Sequence, residues 1–419
     1  MSTMDVQVKL EAILSRENLI AAWSAVKAND GAAGVDGKTI DGTWVHLQKH
    51  WDGIREKLRS GTYRPGAVRA VEIPKASGGS RLLGIPTVQD RLIQQALHQV
   101  MSAAFDAQMS RHSYGFRPQR SAHDAVTAAR GYVAEGKVWV VDIDLKSFFD
   151  QVSHDRLMHL LGRRIEDKRV LALIGRYLRA PMQHPGGRLE PRSCGTPQGG
   201  PLSPLLANLY LDPLDQELER RGVAFVRYAD DIALFAASER AAQRMLGSVT
   251  AWLSTHLSLV INEQKSGVSR SGTSKLLGFC IHESGEVGPA PSALKKLKER
   301  VRQLWDARQS VTTEQLRTNW LRYIQGWWNY FAYANKRTKL RRLSGWIRRH
   351  MRKCFWLRWH NRRGRYRALF RLGVRGRALG VAGCRRGAWA MAINVVVNTA
   401  LRTETLNQYG FIIPWELAG

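Results

Sequence analysis

The chain has 419 residues, 44% of them hydrophobic, with 64 Lys and Arg against 35 Asp and Glu for a formal charge of +29. Such hydrophobic content supports a folded core and excludes a disordered tail, and at roughly 100–200 residues per domain it implies two to four domains. The charge favours approach to polyanions through release of their counterions, which puts nucleic acid first among partners, ahead of a merely solvated basic surface.

Met1 to Asn18 mixes charges into every short apolar stretch and lacks the apolar h-region of a signal peptide. Leu10, Ile13, Leu14, Leu19, Ala22, Trp23 and Val26 recur at helical spacing up to the glycine-rich run 29–37, and a second helix follows to residue 59. That loop reads as a connector; backbone N–H groups cradling phosphates are the alternative. Residues 68–74 alternate like a strand, 77–80 turn and 81–85 return, a hairpin with Lys75 and Arg81 at its tip. Segments 138–145, 225–235 and 276–281 are short, β-rich and apolar, whereas 90–105 and 156–178 are helical. The mixture predicts an α+β domain with a central sheet.

Two of those β segments carry acid. Residues 225–235 read as strand, tight turn, strand, with Asp230 and Asp231 at the turn between apolar flanks. Adjacent carboxylates repel, a cost that a divalent cation reverses. In segment 138–145, alternation puts Asp142 and Asp144 on one face, so spacing leaves open which of them would join the pair. Three carboxylates from two strands suit two Mg²⁺ ions, which favour few carboxylates, water and substrate phosphates. Aspartates that only cap or form salt bridges are the competing reading.

After Pro289 the composition changes. Leu294, Leu297, Val301 and Leu304 mark one face of a basic helix, and two more helices follow around 316–333 and 340–356. From Lys336 to Arg377 there are 17 Lys or Arg and no Asp or Glu, interleaved with Trp346, Phe355, Trp356, Trp359, Tyr366 and Phe370. Arg with aromatics can hold phosphates and stack on bases, so Arg341, Arg342, Arg348, Arg349, Arg352 and Lys353 are candidate contacts to an RNA or DNA backbone. The aromatics of 323–331 read as packed between helices. The apolar segment 388–401 is too short to span a bilayer and contains Asn394 and Asn398, so no membrane role is expected. Cys194, Cys280, Cys354 and Cys384 form no CxxC pair, which argues against zinc or a disulfide framework and fits a bacterial cytosol.

Seven blocks in order resemble the group II intron reverse transcriptases, or maturases: 72–75 with 81–91, 112–121, 144–150, 195–204, 228–231, 262–266 and 276–279. The resemblance implies a right-hand polymerase: an N-terminal extension and start of fingers (1–68), fingers and palm (69–288), an α-helical thumb (289–360) and a small basic DNA-binding module (361–419). It implies metal ligation by Asp144, Asp230 and Asp231, with the Leu145 carbonyl as a further ligand, and so selects Asp144 over Asp142. Lys75 and Arg81 would clamp the incoming triphosphate, Phe149 would crowd a ribose 2′-hydroxyl, and Gln198 and Lys265 would contact the nucleotide. Tyr228 and Ala229 would face primer and template. Competing readings are a core phenylalanine at 149 and solvated cations at 75, 81 and 265. The implied function is RNA-templated DNA synthesis from dNTPs on a DNA primer or target, with assistance to splicing of the intron RNA. No endonuclease with paired Cys and His is encoded, so second-strand cleavage is expected to be absent. A relative repurposed for defence, repair or mutagenic retrotransposition is one alternative, and a splicing-only RNA-binding protein is the other.

Overall fold

The computed structural model describes residues 7–74, 79–336 and 338–417, with Arg81 described by its backbone alone. Lys75 lies outside the described residues. The chain divides into two compact units, residues 1–270 and 271–419.

The first unit begins with helices Leu10–Ile13, Arg16–Asn29 and Ile40–Arg59. Ser15 and Thr39 cap the latter two through their hydroxyls, which accept from Asn18 N and Gly42 N. Between them the glycine-rich loop is a clamped connector. Arg91 Nη2 donates to the carbonyls of Gly31 and Ala32, and a Cβ on Gly34 would lie 2.7 Å from Thr87 Cα. Thr87 in turn caps helix Val88–Phe105, where the buried Asp90 accepts from Tyr63, Thr87 and Tyr177 hydroxyls and from Gly66 N.

The expected hairpin forms: Val68–Pro74 pairs antiparallel with Ser80–Ile85, from Arg69 opposite Ile85 to Pro74 opposite Ser80. The central sheet runs Ala224–Tyr228, Asp231–Ala236, Trp139–Asp144, Gly267–Arg270, every neighbour antiparallel. Residues 232–236 are all buried, with helix Glu239–Trp252 against this strand and Trp139–Asp144, and helix Ala122–Ala134 against Ala224–Tyr228. Burial of Phe225 and Leu234 in that core contributes roughly 1.5–3 kcal/mol apiece.

Segment 156–178 departs from expectation: it is two helices, His154–Gly162 and Lys168–Arg179. Asp167 makes the break, accepting from Arg169 N and Leu10 N at 2.9 and 3.0 Å and pairing with the Arg169 guanidinium. Burial opposes its charge, yet these donors hold the Asp167 carboxyl down to about 2. A folded value below the unfolded one, about 3.9, means stability that is whole above about pH 4 and lost as pH falls through 2. Asp167→Ala is expected to cost about 2 kcal/mol at neutral pH and about half that near pH 3, read from urea midpoints. Equal costs at the two pH values would show that the charge does not matter.

In the second unit Phe279–Ile281 pairs with Val287–Pro289, a shorter strand than the expected 276–281 because Leu276 and Phe279 close a tight turn on each other. Helices Pro291–Leu304, Thr313–Phe331 and Thr338–Arg358 enclose a core that includes Leu297, Val301, Trp320, Ile324, Ile347 and Met351. Of the aromatics of 323–331, Trp328 and Phe331 are buried and Tyr323, Trp327 and Tyr330 half-buried. The end of the chain does not stand apart. Leu401, Leu406, Phe411, Ile413 and Trp415 join the three-helix core, and Trp415 Nε1 donates to Ser344 Oγ at 2.8 Å. No helix among the described residues is long and apolar enough to cross a membrane.

Candidate active site

Tyr228 pairs with Asp231, so Ala229 and Asp230 form the two-residue turn of a hairpin. Ala229 takes φ +57°, a left-handed conformation that costs an L-residue roughly 1–2 kcal/mol. The surroundings enforce it. Arg227 Nη1 donates to Ala229 O at 3.0 Å and to Asn208 Oδ1 at 2.8 Å, while its Nε and Nη2 bind Asp215 at 2.7 and 2.5 Å. Arg227, Asp215 and Asn208 are fully buried. Asn208 Nδ2 donates to Gly115 O, and Gly115 lies so close under the turn that a Cβ there would be 2.4 Å from Ala229 N. The 112–116 segment is stitched to the same strand, with Tyr114 N donating to Arg227 O and Arg227 N to His112 O.

Asp144 ends its strand directly opposite Asp231, which puts the two carboxylates on adjacent strands beside Asp230 at the turn. Cross-strand partners have Cβ atoms about 4.5–5.5 Å apart. Asp142 lies about 6.6 Å further along and faces Ala233 and Gly267, not a carboxylate. The 262–266 turn fixes Asp144 from the other side: Asn262 N donates to Asp144 O at 2.7 Å and Asp144 N to Ser266 Oγ at 3.0 Å. Lys265 Nζ sits 3.7 Å from Asp144 Oδ2. Leu145 bridges to Ile261 through the Lys146 amide and the Asp144 carbonyl, which turns Leu145's own carbonyl away, toward the Asp231 side.

A cleft of about 640 Å³ in the same unit is lined by Ile73, Leu83, Arg91, Phe116, Phe149 and Gln198, among others. It brings Phe149 and Gln198 together. Phe148 takes the core position against Tyr210, leaving Phe149 half-buried at the cleft wall. The 195–200 loop is pinned on both sides: Thr196 N donates to Phe149 O, and Gly84 N to Gln198 O. Gly199 has φ +132°, and a Cβ there would meet Gly84 O at 2.5 Å, so only glycine permits this approach. Phe116 links the cleft to the turn through a ring contact with Tyr228 at 6.3 Å. Sequence reasoning had not singled out Arg91, Phe116, Asn208, Asp215 or Arg227.

In the second unit the six candidate contacts on helix Thr338–Arg358 differ in their surroundings. Arg348 pairs with Glu416, Arg349 donates to the Trp389 carbonyl, and Arg352 donates to the Leu401 carbonyl. Those three are tied to residues 389–416, while Arg341 and Arg342 are exposed and Lys353 half-exposed.

A reverse transcriptase (RNA-dependent DNA polymerase) model matches residues 73–281, and the maturase-specific domain of group II introns matches residues 294–373. The chain belongs to the group II intron reverse transcriptase family. Its architecture is therefore the right-hand polymerase fold of that family. Among curated relatives, Protein YkfC of Escherichia coli is 36% identical over 225 residues, 52% of this chain and 59% of that one. The group II intron-encoded protein LtrA of Lactococcus lactis is 36% identical over 221 residues, 51% of this chain and 35% of that one. The retron Mx65 reverse transcriptase of Myxococcus xanthus is 30% identical over 243 residues, 55% of this chain and 53% of that one. The matches thus span between about a third and three fifths of these relatives' lengths.

Proposed function

We propose that this reverse transcriptase family member copies RNA into DNA, joining deoxynucleoside triphosphates to a primer 3′-hydroxyl, and assists splicing of the group II intron RNA that it copies. The observation that carries the polymerase reading is the register that sets Asp144 opposite Asp231 beside Asp230. An all-oxygen donor set on two strands fits a hard divalent cation such as Mg²⁺, held by Asp144, Asp230 and Asp231 with the Leu145 carbonyl turned to their side. When bound, two such ions supply activation of the attacking hydroxyl and charge stabilisation of the leaving pyrophosphate.

The chain's own residues supply the rest. Lys75 and Arg81 clamp the triphosphate, a point charge and a fork against spread negative charge. Gln198 orients the nucleotide in the cleft beside Phe149, and Tyr228 and Ala229 face the primer and template. Lys265 neutralises Asp144 until substrate arrives and then turns to phosphate. The thumb occupies 289–360 and contributes intron RNA contacts through Arg341, Arg342 and Lys353. A cytosolic setting fits partners that are all nucleic acids or nucleotides. The maturase-domain match at 294–373 supports the splicing role. The retron likeness favours a second reading, a repurposed relative, and an intron fold in the DNA flanking the gene separates the two.

Phe149 at the cleft wall excludes a 2′-hydroxyl by contact. Phe149→Val is expected to raise ribonucleotide incorporation on an RNA template at least about tenfold relative to dNTPs, the scale of one lost pocket contact. Unchanged discrimination in single-nucleotide insertion assays would place the gate elsewhere. The overall activity is tested by primer extension, taken up below.

A further inference from the structure

The helical unit holds a second recess, built from residues that follow the palm in the chain. A cleft of about 640 Å³ opens among Arg302, Arg308, Trp346, His350, Lys353 and Trp389. Its walls are aromatic: Trp346 and His350 lie 4.2 Å apart by ring centroid, and His350 and Trp389 4.8 Å. Cations seat the rings, with Arg302 over Trp346 at 5.4 Å and Arg349 over Trp389 at 4.0 Å. Asp306 also lines the cleft, but Arg308 grips it by two nitrogens, Nη2 to Oδ2 at 2.8 Å. Trp389 remains 37% exposed at the mouth of the cleft.

The recess does not end there. A smaller cleft of about 280 Å³, lined by Lys298, Lys339 and Arg342, shares Trp346 with it. Lys298 and Arg302 are one turn apart on helix Pro291–Leu304, while Arg342, Trp346, His350 and Lys353 follow one stripe of helix Thr338–Arg358. Arg342 and Lys353 are thus about 16 Å apart along the axis. Cations in file along a groove floored by aromatics match the alternation of phosphate and base in a single strand.

We propose that this groove binds single-stranded nucleic acid with one unstacked base laid against the solvent side of the Trp346–His350–Trp389 cluster, and with its phosphates on Lys298, Arg302, Arg342 and Lys353. A base still paired and stacked in a duplex cannot lay its face on these rings, so the partner is an unpaired loop, bulge or strand end. Burial and the charges of Lys353, Arg302 and Arg349 push His350 down to about 4, so its ring is neutral at physiological pH and packs between the two indoles without adding a like charge. The proposal deepens the intron RNA reading by giving it a site, and it is independent of the palm carboxylates.

The test uses the full chain in EDTA without dNTPs, so that the palm contributes no chemistry. The probes are a labelled twelve-nucleotide uridine strand with one central adenine and the same strand with an abasic site there. The wild type is expected to bind the adenine strand about tenfold tighter. Trp346→Leu with Trp389→Leu should reduce that ratio to less than twofold. The exposed-rim variant Lys298→Gln with Arg302→Gln should weaken both strands alike and lower the salt slope by about 0.7 per lost contact. A DNA version of each strand separates RNA from DNA as the source. If the wild type does not distinguish adenine from the abasic site, or the tryptophan variant keeps the distinction, the groove is not a base site. Rim variants with unaltered affinity and slope would also overturn it, and would leave a protein partner as its occupant.

Discussion

Asp230→Asn is expected to abolish DNA synthesis on a primed RNA template while leaving the fold and RNA binding in place. Asp230 stands at the turn between Ala229 and Asp231, so its side chain is outside the apolar core and its replacement by an amide of the same shape disturbs no packing. What changes is charge. The register brings Asp144 and Asp231 opposite one another with Asp230 next in the chain, an arrangement whose like charges repel unless positive charge is brought there. Removing one unit of negative charge forfeits several kcal/mol of cation affinity and transition-state stabilisation, which is a rate loss of roughly a thousandfold. Lys265, 3.7 Å from Asp144, would then outcompete a weakly held cation for the remaining carboxylates, deepening the loss. The measurement is single-turnover primer extension with Mg²⁺, alongside RNA-binding affinity. Wild-type extension by the variant would remove Asp230 from the site.

The second large effect belongs to a pair remote from solvent. Asp215→Leu strands the Arg227 guanidinium, fully buried with its main partner gone, and is expected to cost about 3–5 kcal/mol. Arg227→Met in the same chain should recover most of that stability, because an apolar pair of similar volume replaces two desolvated charges. Activity should not return with it. Arg227 also donates to the Ala229 carbonyl and to Asn208, and those bonds keep Ala229 left-handed and the Asp230–Asp231 turn at the right height over Gly115. In the double variant the turn loses its strut, so thermal midpoint and extension rate are expected to part company, with kcat falling more than KM rises. If the rate recovered together with the stability, Arg227 would be a core residue only and not a positioning residue for the turn.

The palm was legible because its signals are local. Two-residue periodicity located the strands, and the acid-bearing turn between apolar runs located the hairpin; register then put Asp144, not Asp142, across from Asp231. The cleft was legible in part, since Phe149 and Gln198 meet there, but the sequence cannot say which of two adjacent phenylalanines turns inward. Phe148 does, against Tyr210. The strut was missed for a different reason. A lone Arg in a strand reads as surface, and its burial depends on Asn208 and Asp215 from a helix elsewhere in the chain. A signal existed: Asn208, Asp212 and Asp215 recur at helical spacing among the apolar residues of Ser203–Arg220, and all three are buried. Sequence likewise did not show the internal partners of Arg348, Arg349 and Arg352, the Glu416 carboxylate and the Trp389 and Leu401 carbonyls. Charge density reports solvation on average; it does not report which cations find internal acceptors.

Primer extension on an RNA template with Mg²⁺ by wild type, Asp142→Asn and Asp144→Asn, run side by side, tests the site most directly. The register predicts full-length DNA from wild type and Asp142→Asn and none from Asp144→Asn. Extension by Asp144→Asn, or loss in Asp142→Asn alone, would contradict the assignment of the cross-strand pair Asp144 and Asp231 as the reaction centre.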